Sequence, residues 1–206
     1  MVEEKQVSLC KASLLHLADN HNMDNHFDDI LKRYEAARKT GSSIYLEPDD
    51  LTDIAEYYHL HGKLDEALEA IDIAINMFPG ATQPLAFRAR VAILVNKDAQ
   101  EAMQWADQIA DKTDLDYYYI VAEIMIADQR IDEAVQYLKD KETEIDEDDL
   151  EDFYLDVGTL FADYSYSDIV EEWLAKSHET QDSQYRELLG RVALAKGDFD
   201  VCLRIF

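Results

Sequence analysis

The chain is 206 residues long and carries 19 Lys and Arg against 45 Asp and Glu, a formal net charge of −26. That field repels a phosphate backbone and so excludes nucleic-acid binding, and no apolar run approaches the roughly 18 residues of a membrane span. With 48% hydrophobic residues but only 6 Gly and 3 Pro, the composition excludes an all-β or disordered chain and leaves a nearly continuous helical one.

The N-terminus begins with acidic residues (Glu3, Glu4) and leads into no apolar core of a signal peptide. Cys10 and Cys202 lie near opposite ends of the chain, which suits a reducing, cytoplasmic setting better than a disulfide. Two amphipathic helices are predicted over Ser8–Ala18 (Leu14, Leu15, Leu17) and Asp24–Lys39 (Phe27, Ile30, Leu31, Tyr34, Ala37), stopped by Thr40-Gly41-Ser42. Residues 1–40 hold 6 basic and 7 acidic side chains, so nearly all the negative charge follows them. Residues 1–47 therefore read as an N-terminal helical cap or degenerate repeat. His16, His21 and His26 recur every five residues among acidic neighbours, but that spacing turns successive side chains about 140° apart on a helix. They are read as a polar turn, with no metal site assigned.

From Pro48 a repeating pattern begins. Pro48 with Asp49 and Asp50 opens a helix, and Leu51, Ile54, Ala55 and Tyr58 mark its buried face. His61-Gly62 ends it. Asp65-Glu66 starts a second helix with Ala67, Leu68, Ile71, Ala74 and Ile75 on one face, closed by Met77-Phe78-Pro79-Gly80. Small residues in the first-helix position recur at Ala55, Ala89, Ala122, Gly158 and Gly190, which are 34, 33, 36 and 32 residues apart. A second ladder follows at Ala67, Ala102, Ala134, Val170 and Cys202. A period in this range signals stacked supersecondary units.

The segment 48–81 resembles a tetratricopeptide repeat. Ala55 stands for the small first-helix residue, Tyr58 for the aromatic one turn later, Gly62 for the turn glycine, Ala67 and Ala74 for the second-helix alanines and Pro79 for the closing proline. Later units keep the skeleton over 82–114, 115–147, 148–181 and 182–206, the last incomplete. Unit two carries one extra residue in the turn around Asn96–Ala99, and Gln129 replaces the glycine in unit three. The tetrads Gly62–Asp65, Gln129–Asp132, Ser165–Asp168 and Gly197–Asp200 all end in Asp, a helix-start residue. The family's large first-helix Trp is absent, and only the first unit keeps the proline. The resemblance implies an all-α fold: a right-handed α-solenoid of stacked antiparallel helix pairs, about five units, covering residues 48–206. Phe206 falls inside a second helix whose Val201, Cys202 and Ile205 are also apolar, so a longer array or self-association through that end is expected.

No arrangement for chemistry stands out. The acidic run Glu142–Asp152 lacks the glycine of a calcium loop and is placed at the junction of units three and four. There is no Gly-x-Ser-x-Gly and no Gly-rich phosphate loop, so the chain is read as neither an enzyme nor a cofactor protein. The resemblance implies a peptide-binding groove lined by the first helices. Stepping from the core stripe places Glu56 and His59, Arg90, Tyr119 and Glu123, Thr159, and Glu187 and Arg191 on it. Arg90 and Arg191 lie three units apart, so the family's carboxylate clamp is not expected. The anticipated partner is a protein or peptide, basic and with apolar anchors. The alternative is a regulatory or assembly module detached from a larger multidomain protein.

Overall fold

A computed structural model gives the fold and describes residues 23–199. The helix expected over Ser8–Ala18, His16, His21, both cysteines and the apolar end at Phe206 lie outside them. The described chain is all-helical, with ten α-helices and no strand among those residues. They are α1 (Met23–Thr40), α2 (Pro48–Leu60), α3 (Leu64–Met77), α4 (Thr82–Val91) and α5 (Ala99–Ala106), then α6 (Leu115–Ala127), α7 (Ile131–Glu142), α8 (Leu150–Asp163), α9 (Ser167–Leu174) and α10 (Ser183–Lys196). A π-helical turn, Ala92–Asn96, continues α4, and a 3₁₀ turn, Glu147–Asp149, precedes α8. Contacts divide the chain into two compact units, one up to Ile124 and one from Met125.

Four helices end in the same way. Counting seven residues from each small residue reaches a left-handed backbone at Gly62, Gln129, Ser165 and Gly197, with φ of 72°, 64°, 67° and 74°. The next N–H then closes the turn on the carbonyl five residues back: Lys63 on Tyr58 at 2.9 Å, Arg130 on Met125 at 2.9 Å, Tyr166 on Phe161 at 3.0 Å and Asp198 on Ala193 at 2.9 Å. This is the Schellman closure, which satisfies carbonyls left over at the helix end. In α4 the closing bond reaches back six residues, from Asp98 to Ala92 at 3.0 Å, with Lys97 left-handed at φ 60°. The residue in excess is thus stored inside the helix as a π turn, and the closure resumes its register.

The tetrad aspartates occupy a different place from the one expected. The cap positions fall to Lys63, Arg130 and Tyr166, none of which caps with its side chain, and Asp65, Asp132 and Asp168 lie within the first turn. The closing turn fixes the residue after the left-handed one as the cap, so these carboxylates act on the helix dipole instead. True side-chain caps occur at two other helix starts: Asp98, the residue after left-handed Lys97, accepts from Glu101 N–H at 2.8 Å, and Asp182, at the end of the α9–α10 loop, from Gln184 and Tyr185 N–H at 2.7 and 3.1 Å.

In the first unit α2 and α3 pack as a hairpin, with α4 against both and α1 against α2. Ile30 and Tyr34 of α1 join Leu51, Ile54, Ala55 and Tyr58 of α2 and Ala67, Ile71 and Ala74 of α3 in one core. Each fully buried large side chain contributes about 1.5–3 kcal/mol, the main force holding a helix this short. In the second unit α8, α9 and α10 pack mutually. Phe153 meets Trp173 edge-on at 5.8 Å, and Glu151 of α8 ties down the α9–α10 loop by accepting from Ser177 Oγ at 2.7 Å and His178 N–H at 3.0 Å. Gly158 lies where α8 meets α10: a Cβ there would stand 3.1 Å from Leu188 Cδ1.

Candidate interaction face

Helices α2, α4, α6, α8 and α10 each carry a polar stripe, with polar residues at i and i+7 of one register; at i+4 the residue is polar on α2 and α8 (Asp53, Asp156) and a buried apolar one on α4, α6 and α10 (Phe87, Ile120, Leu188). On α2 it runs Asp49, Asp53, Glu56 and then Leu60, which is 44% exposed. The same register gives Gln83 and Arg90 on α4, and Asp116 and Glu123 on α6. These helices are joined through the stripe itself. Gln83 Nε2 donates to Asp116 at 2.5 Å, and Arg90 Nε donates to Glu123 at 3.1 Å.

Carboxylates dominate the stripe in this unit, five against the single guanidinium of Arg90. Burial, then repulsion from Glu56, Asp50 and Asp49, pushes the Asp53 carboxyl up to about 6, with His26 opposing the shift. Asp49 is raised in the same way by burial and by Asp50, Asp116 and Asp114. For Arg90 burial works against the charge, but Glu123, Asp116 and Glu56 outweigh it and hold the guanidinium more firmly protonated than usual.

In the second unit the stripe is Asp152, Asp156, Thr159 and Asp163 on α8, with Gln184 and Arg191 on α10. Gln184 Nε2 donates to Asp156 and to Thr159 Oγ1, both at 3.1 Å, and Arg191 donates to Asp163 at 2.6 Å.

Of the residues placed on the groove from sequence, Glu56, Arg90 and Arg191 lie on the stripe and are half-buried, and Glu187 is exposed. Tyr119 is half-buried one position away from Ile120, which is itself buried. Glu123 is on the stripe but only 8% exposed, held by Arg90. His59 and Thr159 are packed away, at 5% and 3% exposure. His59 meets Phe87 of α4 edge-on at 6.2 Å, and neither ring nitrogen has a hydrogen-bond partner among the described residues. Burial lowers its pKa, so the ring is neutral. Thr159 Oγ1 donates to the Leu155 carbonyl at 3.0 Å and accepts from Gln184. His59 leaves the stripe because it sits a turn beyond Ala55, on the side packed by α4.

Asp49, Asp53, Asp116, Asp156 and Asp163 were not picked out from sequence. Stepping back from Glu56 by three and then four residues finds Asp53 and Asp49, and carrying the register across the period finds Asp116. Among the described residues no group of three or more His, Cys, Asp or Glu is arranged to hold a metal ion, and His26 pairs with Asp50 at 3.5 Å. No described helix is long and apolar enough to cross a membrane. Comparison with known proteins adds no assignment: no protein-family profile matches the chain, and no curated protein matches it significantly.

Proposed function

We propose that the chain is a binding scaffold of the tetratricopeptide type, a right-handed α-solenoid of about five helix pairs whose first helices receive a basic segment of a partner protein. The recurrence of one helix-end closure at one register, with the small residues Ala55, Ala89, Ala122, Ala67, Ala102, Ala134 and Val170 all buried, supports the repeat reading. The observation that carries the functional reading is the stripe of exposed Asp49, half-buried Asp53, Glu56 and Asp116, and buried Glu123, in which carboxylates crowd one another with one guanidinium among them. Such crowding costs stability, and a cationic partner relieves it. Leu60 and Val95, each 44% exposed at the ends of their helices, supply apolar contact beside it. Arg90 and Arg191 are already paired with Glu123 and Asp163, which disfavours capture of a carboxylate terminus.

The test is a peptide array probed with the full chain at low and high salt, followed by the Asp53→Asn/Glu56→Gln variant. Lysine- and arginine-bearing segments are expected to bind, with loss of about tenfold or more in the variant. Equal binding of basic and acidic segments, or binding indifferent to the two substitutions, sinks the reading.

A further inference from the structure

His59 is a buried titratable side chain that borders the stripe without belonging to it. It stands three residues beyond Glu56 on α2, and the Phe87 ring it meets edge-on at 6.2 Å stands three before Arg90 on α4. The imidazole therefore lies in the seam between two helices that carry the stripe. It is 5% exposed, and both ring nitrogens are buried with no hydrogen-bond partner among the described residues. A neutral imidazole brings one donor and one acceptor, whereas the protonated ring brings two donors and a charge. No acceptor reaches either nitrogen, so ionisation in place carries the cost of burying an unpaired charge.

The charged groups of the surrounding elements are committed elsewhere. On α2 itself Glu56 acts on Arg90 and Asp53, and Lys63, just past its end, lies over the Tyr58 ring at 5.6 Å. On α4, Arg88 pairs with Asp72 of α3, and Arg90 with Glu123 of α6. On α1, Glu35 accepts from Tyr58 Oη, Arg38 pairs with Glu69 of α3, and His26 with Asp50. Asp65 and Glu66 occupy the first turn of α3, at its positive end. Burial is the influence that acts on the His59 ring, and it lowers the proton affinity below the ordinary 6.5. The unfolded chain then holds this proton more tightly than the folded one. The cost to stability is absent well above pH 6.5 and grows as pH falls below it.

We infer that His59 makes the α2–α4 seam an acid-sensitive latch, closed while the ring is neutral and opened when it takes up a proton. Opening parts α2, with Asp49, Asp53 and Glu56, from α4, with Gln83 and Arg90, and so dismantles the stripe in the first unit. The latch depends on packing alone and holds or fails whatever the stripe binds. The test is hydrogen–deuterium exchange of the full chain, wild type against His59→Leu, at pH 7.5 and pH 5.0. Comparing the two at one pH cancels intrinsic exchange and the titration of other groups, Asp53 included. Opening of α2 and α4 in the wild type relative to the variant is expected to rise about tenfold or more from pH 7.5 to pH 5.0, with α8, α9 and α10 exchanging alike in both. His59→Gln cannot be protonated either and should lose the same pH response, so the outcome does not hang on how well Leu packs. A ratio constant with pH, an equal rise in α8, α9 and α10, or a His59 ring resonance that titrates near 6.5 with α2 and α4 still protected would overturn the proposal.

Discussion

Replacing Asp53 by Asn keeps the side chain's shape and removes its charge. The carboxyl is raised from 3.8 to about 6, a difference of 2.2, which at about 1.4 kcal/mol per unit bounds the native-state penalty near 3 kcal/mol. Asp53 is half-buried and water screens its neighbours, so about 1 kcal/mol is the working figure. The sign follows from linkage. The folded state holds this proton more tightly than the unfolded chain, so stability is gained as pH falls from 6 to 4 and is withheld above 6. Asp53→Asn is therefore expected to stabilise the first unit by about 1 kcal/mol at pH 7.5 and by nearly nothing at pH 3.8. Urea unfolding in a Trp173→Phe background lets Trp105, against which Arg88 lies at 5.6 Å, report that unit. A variant less stable than its parent at pH 7.5, or a difference that does not change with pH, refutes the electrostatic account of the stripe.

Three further outcomes are expected. Gln129→Gly and Ser165→Gly, at φ of 64° and 67°, should each stabilise by about 0.5–1 kcal/mol, the left-handed penalty less the entropy glycine adds to the unfolded chain; no gain in melting temperature would argue that the turns are unstrained. Gly158→Val should destabilise by about 1–3 kcal/mol through its clash with Leu188, and Leu188→Ala in the same chain should recover part of it, so strictly additive effects would contradict the contact. Glu151→Gln should cost about 1 kcal/mol at neutral pH. The Ser177 hydroxyl and the His178 and Glu179 N–H groups hold Glu151 below the usual carboxylate range, so its contribution is lost as pH falls through that lowered value; equal acid sensitivity of wild type and variant, followed by Trp173 fluorescence, would count against the latch.

The helices were legible because their apolar faces keep one period. Ala55, Ala89 and Ala122, and Ala67, Ala102 and Ala134, are buried where the ladder placed them. The turns were legible in position but not in chemistry. A left-handed residue falls at the tetrad's first position whether it is Gly62, Gln129 or Ser165, and the closing hydrogen bond then decides which residue caps the next helix. An aspartate two residues later looks like a cap in sequence and is not one. Part of the interaction face was misread for a related reason. The positions three and four residues beyond Glu56 flank it equally on an isolated helix, and only the packing of α4 on α2 separates exposed Leu60 from buried His59.

The π turn at Ala92–Asn96 bears on how such a chain can change over generations. A single-residue insertion usually rotates everything downstream by about 100° and strips a helix of its buried face. Here the surplus is absorbed within one turn, and Ala102 still falls five residues beyond the left-handed Lys97, as Ala67 does beyond Gly62 and Ala134 beyond Gln129. The closing turn acts as a reset. Each helix pair is then free to gain or lose a residue without its neighbour inheriting the error, so the sequence can drift in length unit by unit while the spacing of its surface charges is preserved.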